Sequence, residues 1–319
     1  MTALPVQRAS QLAARAEEHR WLIEGLWAAE AVGIVGGEPK CCKSFLALDM
    51  AVSVAAGTPC LRRFAVPAPG RVLLYAAEDA QHVVRLRLDG IAQAAGIALD
   101  QLDIQVITSS SLRLDLDADQ ERLEETIDTL RPRLLILDPF VRLHRIDENA
   151  SAEVAPLLAF LRDLQRRYAV AVAVVHHARK GAGKARQGQA LRGSSEFHAW
   201  GDSNLYLRRI DEALSLSVEH RAAPSTTGQL LTLHADGPRL ALQVLDRIPA
   251  ASPRDPPNAP STPADTILQI LRAAAAPLPL ARLRTACHMR TATLCDNLAQ
   301  LTEQRKIHKT PAGYQLVLP

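Results

Sequence analysis

The 319-residue sequence predicts an α/β fold, a mainly parallel sheet with helices on both faces, followed by a small C-terminal domain. Three observations carry that expectation. From residue 31 to about 201, short apolar runs alternate with amphipathic stretches, the signature of strands buried on both faces and of the helices covering them. After residue 201 the alternation gives way to consecutive strand-like runs, which predicts an antiparallel extension at one side of the sheet. A proline-rich stretch at 248–265 then separates this body from a basic tail, as a stiff, solvated linker would.

The elements follow in chain order. Residues 1–30 read as a helical segment, with Leu12, Ala13, Ala16, Leu22 and Ile23 forming a partial apolar stripe. AVGIVGG (31–37) is a buried strand that runs into a loop, and KSFLALDMAVSVAAG (43–57) is a helix ended by Gly57. RVLLYAAED (71–79) is a strand, HVVRLRLDGIAQAAG (82–96) a helix and LDIQVIT (102–108) a strand. QERLEETIDTLRP (120–132) is a helix that stops at Pro132, whose ring cannot continue it, and RLLILDP (133–139) is the next strand. AEVAPLLAFLRDLQRRY (152–168) is a helix and AVAVAVVHH (169–177) a strand. SNLYLRRI, ALSLSVEHR, QLLTLHA and LALQVLD supply the antiparallel strands and complete a core spanning 31–247. Beyond the linker, 266–319 reads as three short helices (266–275, 278–287, 290–305) and a hairpin turning at Pro311 to Gly313, a winged-helix pattern.

Composition narrows the function classes. Hydrophobic content of 48% with 22% charged residues fits a soluble globular chain. No run of eighteen residues is free of charge and polarity, which argues against a membrane-spanning helix. The start, MTALPVQRASQLAARAEEH, carries acids and no apolar run, so it does not read as a secretory signal. Five cysteines, an odd number without a C-x-x-C pair, read as reduced thiols of a cytoplasmic protein. From Ala264 onward seven Lys/Arg face three Asp/Glu, whereas the whole chain carries only +3, so the tail is basic and the body close to neutral. If the tail meets nucleic acid, it does so as a small separate module.

The chemistry begins at GGEPKCCKSF, 36–45. From Gly37 to Ser44 it follows G-x-x-x-x-G-K-[ST], except that Cys42 stands where the second glycine belongs. Set between a strand and a helix, Gly37, Glu38, Pro39, Lys40, Cys41, Cys42, Lys43, Ser44 and Phe45 would wrap a triphosphate with backbone N–H groups. Lys43 would reach the β/γ oxygens and Ser44 ligate Mg²⁺. LLILDP ends in Asp138, a strand-end carboxylate placed beside the metal. LLYAAEDA puts Glu78 and Asp79 after another strand. Glu78 there either polarises the attacking water or belongs to an exposed acidic turn. AVVHHARKG ends a strand in His176 and His177, and one imidazole there would contact the γ-phosphate unless the pair is a plain strand end. A metal reading lacks a third ligand at useful spacing. RKGAGKARQGQALR (179–192) holds Lys180, Lys184, Arg186 and Arg192 without an acid or an aromatic, so it would follow a single-stranded backbone electrostatically. The helix from Arg290 would present Arg290, Thr291, Thr293 and Asn297 to a duplex groove, although winged helices also contact proteins.

The stretches GGEPKCCKSFLALDMA, LLYAAEDA, LLILDPFVRLHRIDENAS, VVHHARKG and ALRGSS, in that order, resemble the RecA-like ATPases of the hexameric helicase superfamily, in particular the plasmid RepA-type replicative helicases. The resemblance covers roughly 25–245. It implies a RecA-like core, assembly into a ring with ATP sites between subunits, and ATP with Mg²⁺ as ligands. It also implies that Lys43 and Ser44 bind phosphate and metal, that Glu78 is the catalytic base, Asp138 the strand-end acid and His177 the γ-phosphate sensor. SVEHRAAPSTTG resembles the stretch carrying an arginine finger in DnaB-like helicases, with Arg221 at the finger position, although Glu219 stands where that family often has a basic residue. The expectation is a cytoplasmic, Mg²⁺-dependent ATPase, hexameric, acting on single-stranded DNA as a helicase of a plasmid or mobile element. Two alternatives are a repair or recombination ATPase that does not unwind, and a nucleotide-sensing winged-helix regulator that binds duplex DNA.

Overall fold

The computed structural model describes residues 6–12, 20–177, 196–210, 213–245, 263–274, 276–287, 291–304 and 306–317. Contacts divide the chain into two compact units, Met1–Ile248 and Pro249–Pro319.

In the first unit the elements run β1 (Trp21–Ile23), β2 (Trp27–Ala28), β3 (Val32–Gly37), α1 (Lys43–Ala56), β4 (Val72–Ala76), α2 (Gln81–Ala94) and β5 (Ile104–Val106). They continue as α3 (Asp117–Leu130), β6 (Leu134–Asp138), α4 (Ser151–Tyr168), β7 (Ala171–His177), α5 (Glu196–Trp200), β8 (Ser203–Ile210), β9 (Ala213–His220), β10 (Thr226–Asp236) and β11 (Arg239–Val244). Nine strands form one sheet in the order β11-β10-β9-β8-β3-β7-β6-β4-β5. The six from β8 to β5 pair in parallel, and β8 to β11 pair antiparallel, forming the flank that the strand-like runs predict.

Each face of the sheet has its own core. One packs Leu46, Met50, Val54, Val84, Leu88 and Ile91 of α1 and α2 against Val35, Leu74, Ile136 and Val175. The other packs Leu123, Ile127, Leu158, Leu161 and Leu164 of α3 and α4 against Ile34, Leu73, Leu135 and Val174. Neighbours along β3 thus point to opposite cores, which is why these strands read as unbroken apolar runs. Beneath α1, Asp49 is fully buried. It accepts hydrogen bonds from the Leu61 amide at 2.8 Å and from Arg62, which fixes the turn leading to β4.

The helical expectation for residues 1–30 does not hold over the described part. Ala9–Gln11 is a single 3-10 turn, and residues 21–28 form an antiparallel ribbon, β1 with β2. Gly25, at φ +69°, makes the tight reversal, and Leu22, Ile23, Leu26 and Trp27 are buried in the α1–α2 core. Of the apolar residues that suggested a helical stripe, Leu22 and Ile23 belong to this strand pair, and Ala13 and Ala16 lie outside the described residues. β5 and β4 are also shorter than expected: β4 stops at Ala76, and the Ala77 amide donates to the Asp138 carbonyl at 2.8 Å, so Glu78 and Asp79 lie in a loop.

The second unit consists of α6 (Pro263–Ala273), α7 (Leu280–Cys287), α8 (Thr291–Glu303) and the hairpin β12 (Ile307–Thr310) with β13 (Gly313–Leu316). Ile267, Leu271, Leu283, Leu294, Leu298, Leu301 and Ile307 form its core. Leu278 and Tyr314 exchange both backbone hydrogen bonds at 2.9 Å. Gly313 sits where a β-carbon would come within 2.3 Å of the Leu278 carbonyl oxygen, so only glycine lets the hairpin approach that strand-like segment. Most of the expected linker, 248–265, lies outside the described residues.

Candidate nucleotide site

Register along the parallel strands collects the candidate residues at one sheet edge. Gly37 at the end of β3 lies opposite His177 at the end of β7, and Asp138 at the end of β6 lies opposite Ala76 at the end of β4. In open α/β sheets, the crevice outside the carboxyl ends of the strands is where ligands bind.

The loop from Gly37 to Lys43 is shaped by three unusual backbone positions. Gly37 has φ +154°, and a β-carbon there would meet the Leu207 carbonyl oxygen at 2.3 Å and Cys41 Sγ at 2.8 Å. Lys40 and Cys42 are both left-handed, at φ +63° and +62°. Cys42 therefore occupies the backbone conformation that the motif's glycine would provide, now carrying a side chain. Its thiol is half-buried, and burial pushes both the Cys42 and Cys41 thiols above their ordinary range. That lowers their thiolate fraction and works against easy oxidation. Lys43 is buried and folds back into the loop: its Nζ donates to the Glu38 carbonyl oxygen at 2.7 Å, beside Cys41 Sγ, which donates to the same oxygen at 2.8 Å. Burial lowers the Lys43 ammonium pKa, while Cys41 and Asp138 act in the opposite direction. Arg209 of β8 donates to the Lys40 carbonyl at 3.1 Å and ties the loop down from the other side. The Arg87 guanidinium lies over the Phe45 ring at 5.2 Å and pairs with Asp79.

Next to the loop is a polar cavity of about 150 Å³ lined by Ser44, Ala76, Glu78, Asp79, Arg87 and Asp138. Burial pushes the Asp138 carboxyl up to about 6, against a hydrogen bond from the Ser44 hydroxyl. A carboxylate held there without a cation is unfavourable, which suits a site built to receive one. Oxygen donors of this kind match a hard divalent ion such as Mg²⁺, which typically takes one or two carboxylates and leaves positions for phosphate and water. Among the described residues no cluster of three or more His, Cys, Asp or Glu forms a metal site by itself. A magnesium brought with a triphosphate fits; a protein-caged metal does not.

Glu78 lines the cavity but is not idle: Arg142, in the turn after β6, donates from Nε to its Oε1 at 3.0 Å. His177 lies beside the start of the phosphate loop. His176, its neighbour, turns into the opposite core. Arg221 lies at the far end of the sheet. Its amide donates to the Asp202 carbonyl at 2.9 Å, the Asp202 amide donates to the Val32 carbonyl at 2.8 Å, and its side chain pairs with Asp202 at 3.4 Å. Val32 and Gly37 are the two ends of β3, so about 17 Å of strand separates Arg221 from its own loop. Glu219, two residues earlier, lies 3.5 Å from His198. Lys180, Lys184, Arg186, Arg192 and Arg290 lie outside the described residues.

Sequence reasoning missed Arg87, Arg142, His144 and Glu148. The last two are four residues apart within LHRIDE, but they lie in a loop, where residue spacing does not indicate who faces whom.

A family model described as "AAA domain" matches residues 2–183, more than half of the chain. Among solved structures, "Crystal structure of the RadB recombinase" superposes with a TM-score of 0.50 at 15% identity, covering 68% of this chain and 92% of that one. At that identity the likeness concerns the fold alone, and the fold is a RecA-like core.

Proposed function

The chain belongs to the AAA domain family and has a RecA-like ATPase core, and on that premise we propose that it is an ATP-hydrolysing, ring-forming motor acting on single-stranded DNA, a replicative helicase of a plasmid or mobile element. The observation that carries the reading is the convergence of Lys43, Ser44, Glu78, Asp138 and His177 on one sheet edge, with Arg221 on the opposite one.

In this reading the amides of 38–44 hold the phosphates at the start of α1. Lys43 exchanges the Glu38 carbonyl for β/γ oxygens, so phosphate binding and loop rearrangement are one event. Ser44 and Asp138 would hold the magnesium, which supplies charge neutralisation as the γ-phosphoryl group leaves. Glu78, once released by Arg142, orients and polarises the attacking water. His177 contacts the γ-phosphate region and passes its state to the segment carrying Lys180, Lys184, Arg186 and Arg192, which holds the DNA backbone. Arg221 is too far from its own site to act there, so it would serve a neighbour's site in a homo-oligomer, which we take to be a hexameric ring. The C-terminal unit is the proposed winged helix, with Arg290 and the start of α8 offered to duplex DNA.

The test is ATP hydrolysis with and without single-stranded DNA, for wild type and for wild type mixed with excess Arg221→Ala. Stimulation by DNA and poisoning by the variant are expected. An unchanged rate per wild-type site would sink the trans-acting arginine. A second reading, a repair or recombination ATPase that moves without unwinding, keeps every residue role, and the RadB protein, titled a recombinase, speaks for it. Strand displacement separates the two. Sequence-specific duplex binding with no displacement would point to the regulator instead.

A further inference from the structure

Behind the phosphate-facing edge lies a buried group that the mechanism above does not use. Glu148, in the loop between β6 and α4, places Oε1 3.4 Å from His144 Nε2 and Oε2 3.6 Å from His176 Nε2. Both imidazole side chains are 2% exposed and the carboxylate 15%. Both nitrogens of each ring and Oε1 of Glu148 are buried without a hydrogen-bond partner at good distance. Among the described residues, these ring nitrogens and Oε1 therefore have chiefly one another to offset desolvation. Apolar rings pack against them: Phe140 lies tilted against His144 with centroids 4.5 Å apart, Phe197 likewise against His176 at 4.4 Å, and the two phenyls meet edge to face at 5.2 Å. Burial by itself would raise the Glu148 carboxyl, yet the two histidines bring it down to about 2, so it is a carboxylate at neutral pH.

The placement gives the cluster a purpose. His144 and Glu148 belong to the loop that begins at Asp138 and carries Arg142, the residue holding Glu78. His176 belongs to β7 and immediately precedes His177. Beyond Leu137–Val174, no paired residues join β6 to β7 directly; their last residues pair instead with the strands on their other sides, Asp138 with Ala76 of β4 and His177 with Gly37 of β3. The Glu148 carboxylate spans that gap with side chains.

We infer that Glu148 is a positioning residue: by holding His144 and His176 together, it docks the loop that leads on from Asp138 against the end of β7, and so keeps that loop in place beside His177 and the phosphate loop. The inference rests on the ATPase reading and adds a part to it. With its hydrogen on Nε2, each ring turns a donor toward one oxygen of the carboxylate, which thereby favours that tautomer in both arms. An amide in place of the carboxylate keeps the shape but offers an NH₂ group to one of two donors, so one arm must open.

Two measurements on the full chain test this. Steady-state ATP hydrolysis of Glu148→Gln is expected to show kcat reduced at least tenfold with KM for ATP changed less than threefold. Ring ¹⁵N–¹H spectra without nucleotide are expected to show His144 and His176 as Nε2–H tautomers in wild type, with at least one altered in the variant. If wild type hydrolyses ATP and Glu148→Gln keeps kcat within twofold, or if its ring spectra are unchanged, the positioning role is overturned while the ATPase reading stands. If wild type hydrolyses no ATP, the ATPase reading fails and takes this role with it, whatever the ring spectra show. Should Glu148→Gln not fold, His144→Gln, which removes a single arm, is read by the same two criteria.

Discussion

Replacing Cys42 tests the shape of the phosphate loop directly. The residue sits at φ +62°, ψ +28° with a β-carbon attached, a conformation that costs an L-residue roughly 1–2 kcal/mol. Glycine escapes that cost but leaves a freer unfolded chain, which returns roughly 0.4–1 kcal/mol. Comparing Cys42→Gly with Cys42→Ala removes the thiol from both, so their difference isolates the β-carbon, and about 1 kcal/mol in favour of glycine remains. In a unit of this size that is roughly 2–4 °C in Tm. Calorimetric melts without nucleotide read the stability, and titration with MgATP reads whether the relieved loop also binds more tightly. Cys42→Gly is expected to melt above Cys42→Ala and to bind MgATP at least as well as wild type. If Cys42→Ala equals or exceeds Cys42→Gly in Tm, the left-handed assignment is wrong.

Three further outcomes follow from the same geometry. Folding raises the Asp138 carboxyl from its ordinary value to about 6, so its ionisation opposes folding: the penalty is full above pH 6 and vanishes as pH falls below the unfolded-state value, amounting to roughly 3 kcal/mol at most. Asp138→Asn is therefore expected to be more stable than wild type in urea at pH 8 without Mg²⁺, and to lose that advantage near pH 4. Arg142→Ala releases Glu78, and because both side chains are largely exposed the fold should lose less than about 1 kcal/mol. Basal hydrolysis without DNA should rise several-fold, and an unchanged basal rate would mean that the pair restrains nothing. Asp49→Ala strands the partly buried Arg62 and is expected to cost about 3–5 kcal/mol, seen as a large fall in Tm by circular dichroism.

The parallel core was legible because its strands are buried on both faces and written as uninterrupted apolar runs. The strand–loop–helix setting of the proposed phosphate loop was legible because an apolar run ends at Gly37 and an amphipathic one begins at Lys43. Two things were not. Residues 21–28 carry aromatic and branched residues around Gly25, a turn signal that a helical reading of Leu22 and Ile23 overrode. The partners of the site, Arg142 on Glu78 and Glu148 on His176, meet through loops, and contacts between loops have no period for a sequence pattern to reveal. The left-handed backbone at Cys42 was signalled only indirectly, by the glycine that the motif calls for and this chain lacks.

The length of one strand between Gly37 and Arg221 has a consequence for genetics as much as for chemistry. If Arg221 completes a neighbour's site, two individually dead proteins, Lys43→Ala and Arg221→Ala, should rescue each other when co-assembled. At every junction where the first donates its arginine to the second's intact lysine, a whole site is restored, and random one-to-one mixing makes roughly a quarter of all junctions of that kind in a head-to-tail ring.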